Sequence, residues 1–321
     1  MSDPSPLIRI RNLRKHFTSD RSWFGRGITV KAVDGVSFDI FPGETYGLVG
    51  ESGCGKSTLG RSLLRLFEVT DGEIEFDGRD IAALDERQLK PVRRRMQAVF
   101  QDPYSSLNPG MTVAQLIAEP MRIHGYDAKR RQSRTLELLE QVGLSRGHLD
   151  RFPHEFSGGQ RQRISIARAL SVNPEFVVCD EPLSALDVSV QAQVVNILQD
   201  LQQALGLTYL FIAHDLSMVR HISDRIGVMY LGTLVEEAPA ETLYRQPAHP
   251  YTRALLAAIP IADPHIQMLE PGGLRGEAGG EGGGCKFADR CPRVMASCRQ
   301  QPPEMREIAP GHRVACWQSE K

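Results

Sequence analysis

Gly50-Glu51-Ser52-Gly53-Cys54-Gly55-Lys56-Ser57 follows the apolar residues 45–49, leads into the helix-prone residues 58–67, and decides how the rest of the chain is read. The pattern G-x-x-x-x-G-K-[S/T] between a strand and a helix predicts a phosphate-binding loop. Its glycines let the backbone wrap closely round an anion, with N–H groups where a β-carbon would collide. The following helix aims the positive end of its dipole at the same point. Ser52, Gly53, Cys54, Gly55 and Thr58 are expected to line the nucleotide. Lys56 is expected to reach the β- and γ-phosphates, and Ser57 to offer its hydroxyl to Mg²⁺, which prefers hard oxygen ligands.

A chain of 321 residues exceeds the usual single-domain size, so one large nucleotide-binding domain with an appendage is expected. Its net charge of −1 argues against a dedicated nucleic-acid binder, whose phosphate contacts require a basic excess. The basic clusters Arg93-Arg94-Arg95 and Lys129-Arg130-Arg131 have acidic or amide neighbours and read as solvated helix faces. No apolar run approaches the roughly 18 to 20 residues that span a bilayer. The first ten residues also lack the apolar core of a signal peptide. The expectation is a soluble, cytoplasmic chain that docks on a membrane protein.

Alternation in Leu7-Ile8-Arg9-Ile10 and Val36-Ser37-Phe38-Asp39-Ile40 predicts half-buried strands, read as an antiparallel edge to the main sheet. Between Phe17 and Val30 a polar insertion with the apolar tip Trp23-Phe24 is expected to be a surface loop or hairpin. Residues 72–77 read as strand and 85–96 as helix. From about residue 104 to 170 strand signals vanish and the apolar spacing turns helical, so a helical subdomain over about 102–172 is expected within an α/β core. Phe176-Val177-Val178-Cys179 suits a buried parallel strand. A helix over 188–205 and a strand over 208–213 complete a doubly wound pattern. Past Leu231 two short strands and two helices, near 240–244 and 251–258, are expected. The predicted domains are a nucleotide-binding domain (1–260), a glycine-rich linker (261–284) and a cysteine-rich extension (285–321). No internal repeat is found.

The strand ending in Asp180-Glu181 delivers two carboxylates where doubly wound folds place their ligands. Asp180 is expected to hold Mg²⁺, directly or through water, and Glu181 to polarise the water that attacks the γ-phosphate. Ser157-Gly158-Gly159-Gln160 is a second glycine-rich turn opening onto a helix, and so a second anion-binding geometry. Two such devices far apart in one chain require either two nucleotides or a shared one.

The phosphate loop, Gln101, Ser157-Gly158-Gly159-Gln160, Asp180-Glu181, the turn Ser184-Ala185-Leu186-Asp187 and His214 together resemble the nucleotide-binding subunit of ATP-binding cassette (ABC) transporters. Phe156 stands where that family usually has Leu, an apolar-for-apolar change. The resemblance implies that Phe17 stacks on adenine. Gln101 would contact Mg²⁺ and sense the transmembrane partner through residues 103–109, while His214 would contact the γ-phosphate and position the attacking water. It also implies that two cassettes face each other head to tail. Ser157, Gly158, Gly159 and Gln160 would then serve the partner's ATP, with Asp187 connecting the two sites.

Four of the six cysteines, Cys285, Cys291, Cys298 and Cys316, fall in the last 37 residues with the spacing C-x5-C-x6-C-x17-C. In a reducing compartment such clustering favours metal or cluster ligation over a disulfide framework. The block Gly284-Cys285-Lys286-Phe287-Ala288-Asp289-Arg290-Cys291-Pro292 and the stretch His249-Pro250-Tyr251-Thr252 are similar to the oligopeptide and dipeptide importer ATPases. The insertion resembles that of the second of their two paired ATPases. This likeness implies a [4Fe-4S] cluster on the four cysteines. The spacing fits neither the usual zinc nor the usual ferredoxin rule, so zinc, with His312 as a substitute ligand, and free thiols stay open. The likeness to the importer ATPases also implies a heterodimer with a homologous ATPase, two permease subunits, an extracytoplasmic peptide-binding protein, and a place on the cytoplasmic face of the membrane. Alternatives are the same subunit in a nickel or other small-solute importer, and a soluble ABC protein acting on DNA or ribosomes.

Overall fold

The computed structural model describes residues 5–19, 28–258 and 283–320. The strands are β1 (Ile8–Ser19), β2 (Ile28–Ile40), β3 (Thr45–Val49), β4 (Asp71–Phe76), β5 (Arg79–Asp80), β6 (Met96–Val99), β7 (Phe176–Asp180), β8 (Thr208–Ile212), β9 (Arg225–Tyr230), β10 (Thr233–Pro239), β11 (Arg306–Ala309) and β12 (His312–Val314). The helices are α1 (Lys56–Leu63), α2 (Glu86–Arg95), α3 (Pro103–Ser106), α4 (Val113–Ile123), α5 (Ala128–Gln141), α6 (Gly158–Leu170), α7 (Val188–Leu205), α8 (Leu216–Ile222), α9 (Ala240–Arg245), α10 (Pro250–Ala257) and α11 (Ala296–Gln300). One sheet has four strands in the order β2-β1-β4-β5, and the other has eight in the order β11-β12-β10-β9-β3-β8-β7-β6.

The parallel centre of the larger sheet follows from continuous apolar runs. Every residue of β3, β7 and β8 is buried, as strands covered on both faces require. Pleating sends Val49 into one core with Ile164, Val194 and Leu198, and sends Tyr46 and Leu48 into another with Leu59, Leu63 and Phe38.

The amino-terminal strands do not extend this sheet, contrary to the sequence expectation. β1 pairs with β2 and with β4 in the separate four-stranded sheet, whose Ile8, Ile10 and Phe38 pack with the α1 residues Leu59 and Leu63. Alternation reports one buried face of a strand, and stacking satisfies that face as well as edge pairing does. The antiparallel edge of the main sheet comes instead from the carboxyl-terminal half, where β10 pairs with β9 and with β12. Past Leu231, β10 is followed directly by α9 and α10, so one strand stands where two were expected.

Between β6 and β7 the described chain is helical, with α4 and α6 entered through capping boxes at Thr112 and Ser157. The pairs Phe17↔Val30, Thr18↔Thr29 and Ser19↔Ile28 bring the ends of the insertion together as a hairpin, while Trp23-Phe24 lies outside the described residues. So does nearly all of the predicted linker, residues 261–282. The cysteine-rich tail is stitched into the main sheet: β12 pairs Val314 with Glu236 and Arg313 with Glu237, and β11 pairs with β12.

Candidate active site

Four parallel strands bring the predicted site residues to one edge. In register, Leu48 of β3 and Asp180 of β7 both lie opposite Ile212 of β8, and Val99 of β6 lies opposite Cys179. The carboxyl ends of these strands are therefore nearly level. From them emerge the phosphate loop, Gln101, Asp180-Glu181 and His214, as the doubly wound pattern requires.

The loop is held by backbone. Gly55 caps α1 at φ 107°, and a β-carbon there would lie 2.0 Å from the carbonyl oxygen of Ala32 in β2. A β-carbon on Gly50 would lie 2.2 Å from the carbonyl oxygen of Met229 in β9. Neighbouring strands, as well as any bound anion, thus exclude side chains here. Lys56 is buried, and its Nζ donates to the carbonyls of Gly50 at 2.7 Å and Glu51 at 3.0 Å, which sets its charge inside the curl of the loop. The Glu51 N–H donates to Tyr251 Oη at 2.8 Å, and the Gly232 N–H donates to the Cys54 carbonyl at 2.8 Å. Cys54 is buried, and that burial pushes its thiol pKa up.

Ser57 Oγ donates to Asp180 Oδ1 at 2.7 Å, and Asp180 is only 2% exposed. Arg61, one turn along α1 from Ser57, places Nη2 3.6 Å from Asp180 Oδ2. This hydroxyl and carboxylate fit Mg²⁺, which is held by few protein oxygens and completed by phosphate oxygens and water. Gln101 is exposed and makes no hydrogen bond to this pair. Glu181 adopts φ 49°, a left-handed conformation uncommon for a side-chain-bearing residue, and its Oε2 lies 3.7 Å from His214 Nδ1. The two line a cavity of about 80 Å³ with Ser184, Gln191 and Asp215.

The second glycine turn is a helix cap with an outward face. Ser157 Oγ accepts from the Gln160 N–H at 3.4 Å while Gln160 Oε1 accepts from the Ser157 N–H at 3.1 Å, and Ser157 is exposed. Gly159 sits against Val190 of α7, beside the exposed Asp187 and Val188. Among the described residues, no hydrogen bond joins residues 157–160 to the phosphate loop. Phe17 is 39% exposed and packs edge-to-face on Phe67 at 5.6 Å, with Lys15 Nζ 4.8 Å from its ring.

The tail brings its four cysteines together. Cys285, Cys291, Cys298 and Cys316 line one cavity of about 10 Å³ with His249, Phe287 and Trp317. Burial first, and then the three neighbouring cysteines, push the Cys285 thiol up to about 11. A cavity that small does not fit a cubane cluster, and among the described residues no set of three or more His, Cys, Asp or Glu side chains stands at metal-holding spacing. His312, the expected substitute ligand, is directed elsewhere: its Nε2 lies 2.8 Å from Glu236 Oε1, and it does not line the cavity.

Sequence reasoning missed several residues at this edge. Arg61 was legible at i+4 from Ser57 on the phosphate helix. Phe67, just past the phosphate helix, meets Phe17, and Tyr251 reaches the loop from a distant segment; no local pattern announces either contact.

Residues 33–184 match the family model for ABC transporters, and residues 235–298 match that for the oligopeptide/dipeptide transporter C-terminal region. The putative oligopeptide transport ATP-binding protein YkfD of Bacillus subtilis (strain 168) is 56% identical over 317 residues, covering 97% of this chain and 95% of that protein. The oligopeptide transport ATP-binding protein OppF of the same organism is 55% identical over 317 residues, covering 98% of this chain and 97% of that protein. The dimeric post-hydrolysis structure of the ATP-binding cassette MJ0796 bound to ADP and Pi superposes with a TM-score of 0.65 at 28% identity, covering 73% of this chain and 98% of that one. With that similarity running along nearly its whole length, and with a phosphate loop facing a carboxylate pair across one sheet edge, the chain belongs to the ABC transporter ATPases, in the group that carries the oligopeptide/dipeptide transporter C-terminal region.

Proposed function

We propose that this chain binds and hydrolyses ATP to energise an importer of oligopeptides or dipeptides. One observation carries the reading: the Ser57–Asp180 pair and the Glu181–His214 pair stand at the same sheet edge as the phosphate loop. Residues 52–58 cradle the triphosphate, with Lys56 in its curl, and Phe17 offers its half-open ring to the base. Ser57 and Asp180, with Gln101 brought to them on binding, would hold Mg²⁺, which would draw charge from the phosphates. Glu181 takes the proton of the attacking water and His214 orients that water. In this arrangement Glu181 and His214 are the catalytic residues.

The outward turn at Ser157, Gly158, Gly159 and Gln160 belongs on the ATP of a second cassette. Its exposure, and that of Asp187 beside it, supports this reading, as does the dimeric form of the similar cassette MJ0796. That second cassette is a homologous ATPase in a heterodimer, this chain being the second of the pair. Two permease subunits and an extracytoplasmic peptide-binding protein complete the importer. Attachment at the cytoplasmic face runs through the permeases; among the described residues no helix is long and apolar enough to cross a membrane. The domains are 1–260, with a helical subdomain over about 102–172, then the linker 261–284 and the extension 285–321.

For the extension we propose a structural centre on Cys285, Cys291, Cys298 and Cys316, a [4Fe-4S] cluster ahead of zinc. Convergence of the four thiols on one cavity supports it, and binding requires them to shift from their present spacing. Iron and acid-labile sulfide in purified protein, lost in C298S, is the expected result; zinc without sulfide refutes the cluster. The ATPase reading is tested by E181Q. Phosphate release in the assembled transporter falls at least about a hundredfold while ATP binding is retained. Unchanged turnover removes Glu181 as the base.

A further inference from the structure

The carboxylate of Glu51 sits in the phosphate loop, where an uncompensated negative charge opposes binding of a polyanion. It is not uncompensated. Arg290, from the carboxyl-terminal tail 239 residues away, holds it with two hydrogen bonds, Nη1 to Oε2 at 2.8 Å and Nη2 to Oε1 at 3.0 Å. This is the planar bidentate geometry in which guanidinium and carboxylate pair most strongly. The arginine is largely sequestered, its side chain 15% exposed against 38% for Glu51. Its guanidinium lies over the rings of Tyr230, at 5.8 Å, and Phe287, at 6.0 Å.

The same tail segment braces the loop a second time. Lys286 Nζ donates to Asp34 Oδ2 at 3.0 Å and to the Leu231 carbonyl at 2.8 Å. The next residue, Gly232, donates its N–H to the Cys54 carbonyl inside the loop. Phe287, between the two cations, is buried against Tyr251, whose hydroxyl accepts the Glu51 N–H. Backbone and side chain of Glu51 are thus both gripped from outside the loop, and the side-chain grip comes from the tail.

We propose that Arg290 is a positioning residue for ATP binding, one that neutralises Glu51 and draws its carboxylate away from the phosphates, so that the cysteine-rich tail is a working part of the nucleotide site. This rests on the reading that the loop binds ATP. Without Arg290, Glu51 becomes a free carboxylate next to the triphosphate. With Glu51 also neutral, the arginine has nothing left to compensate.

The full-length chain is titrated with Mg-ATP by equilibrium binding at low and high salt. R290Q is expected to weaken binding about tenfold at low salt, and the deficit to shrink at high salt because screening acts on a repulsion. R290K, which keeps the charge but loses the bidentate geometry, is expected to fall between the parent chain and R290Q. The second-site change in R290Q/E51Q is expected to recover all but about twofold. A tail that merely stabilises the fold gives no such rescue and no such salt dependence. ATP affinity in R290Q equal to that of the parent chain overturns the proposal, and so does a double variant that binds no tighter than R290Q. K56A separates the premise from the proposal: undiminished ATP affinity in that variant refutes the ATP reading of the loop itself, whatever Arg290 does.

Discussion

Replacing Glu236 by glutamine tests whether the tail is an integral part of the fold. Glu236 of β10 has no exposed surface, and its carboxylate accepts the backbone N–H groups of Ala248 at 2.7 Å and His249 at 2.9 Å. His312 Nε2, from tail strand β12, lies 2.8 Å away on the same carboxylate. One buried anion therefore ties three segments together: β10, the start of α10 and the tail. Hydrogen bonds to a charged group contribute roughly 1.5–3 kcal/mol each. Glutamine keeps one acceptor oxygen but turns an NH₂ toward a donor, leaving one buried N–H unsatisfied at a cost of about 1–3 kcal/mol. The remaining bond also loses its charge assistance. The expected loss is about 3 kcal/mol at neutral pH.

Hydrogen exchange of the β12 and α10 amides, read beside urea unfolding of the whole chain, measures this loss. Acid supplies a second axis. Burial alone raises the Glu236 pKa, but the hydrogen bonds from His312, Ala248 and His249 outweigh it and hold the group below its ordinary value of 4.5. A carboxyl depressed in the folded state contributes fully above its unfolded pKa, and that contribution disappears as pH falls through the folded value. The gap between the parent chain and E236Q should therefore be constant near neutrality and close below about pH 4.5. A gap under about 1 kcal/mol at neutral pH, or one that persists unchanged into acid, refutes the argument.

Two further outcomes follow from the same geometry. G55A forces alanine to φ 107° and sets its β-carbon against the Ala32 carbonyl oxygen. The backbone strain alone costs about 1–3 kcal/mol, and ATP affinity is expected to fall at least about a hundredfold; a near-normal ATP titration would show that the loop tolerates displacement. F287A removes a ring that is 1% exposed and lies 5.3 Å from Tyr230 and 5.5 Å from Tyr251. A loss of about 3–5 kcal/mol in chemical denaturation is expected, accompanied by weaker ATP binding through Tyr251 and Glu51; a loss below about 1 kcal/mol would mean the tail is not docked as described.

The sequence by itself determined whatever depends on local chemistry. Glycines at fixed spacing before Lys56-Ser57 specify the loop, because few other residues allow that backbone. An apolar run ending in Asp180-Glu181 specifies a buried strand with carboxylates at its end, and Ser157 three residues before Gln160 specifies a capped helix. The sheet partner of the amino-terminal strands was not legible, because alternation names a buried face and not a hydrogen-bonding neighbour. The role of His312 was not legible either, since a histidine near cysteines reads as a ligand until its partner Glu236 is seen. Only the tertiary structure decided that β3, β8, β7 and β6 run level, so that Ser57 meets Asp180 across 123 residues. Only it turned the apparent appendage into the edge of the main sheet and set Arg290 on Glu51. Such pairings depend on strand order and register, which are fixed when the whole core closes, and no window of sequence contains both partners.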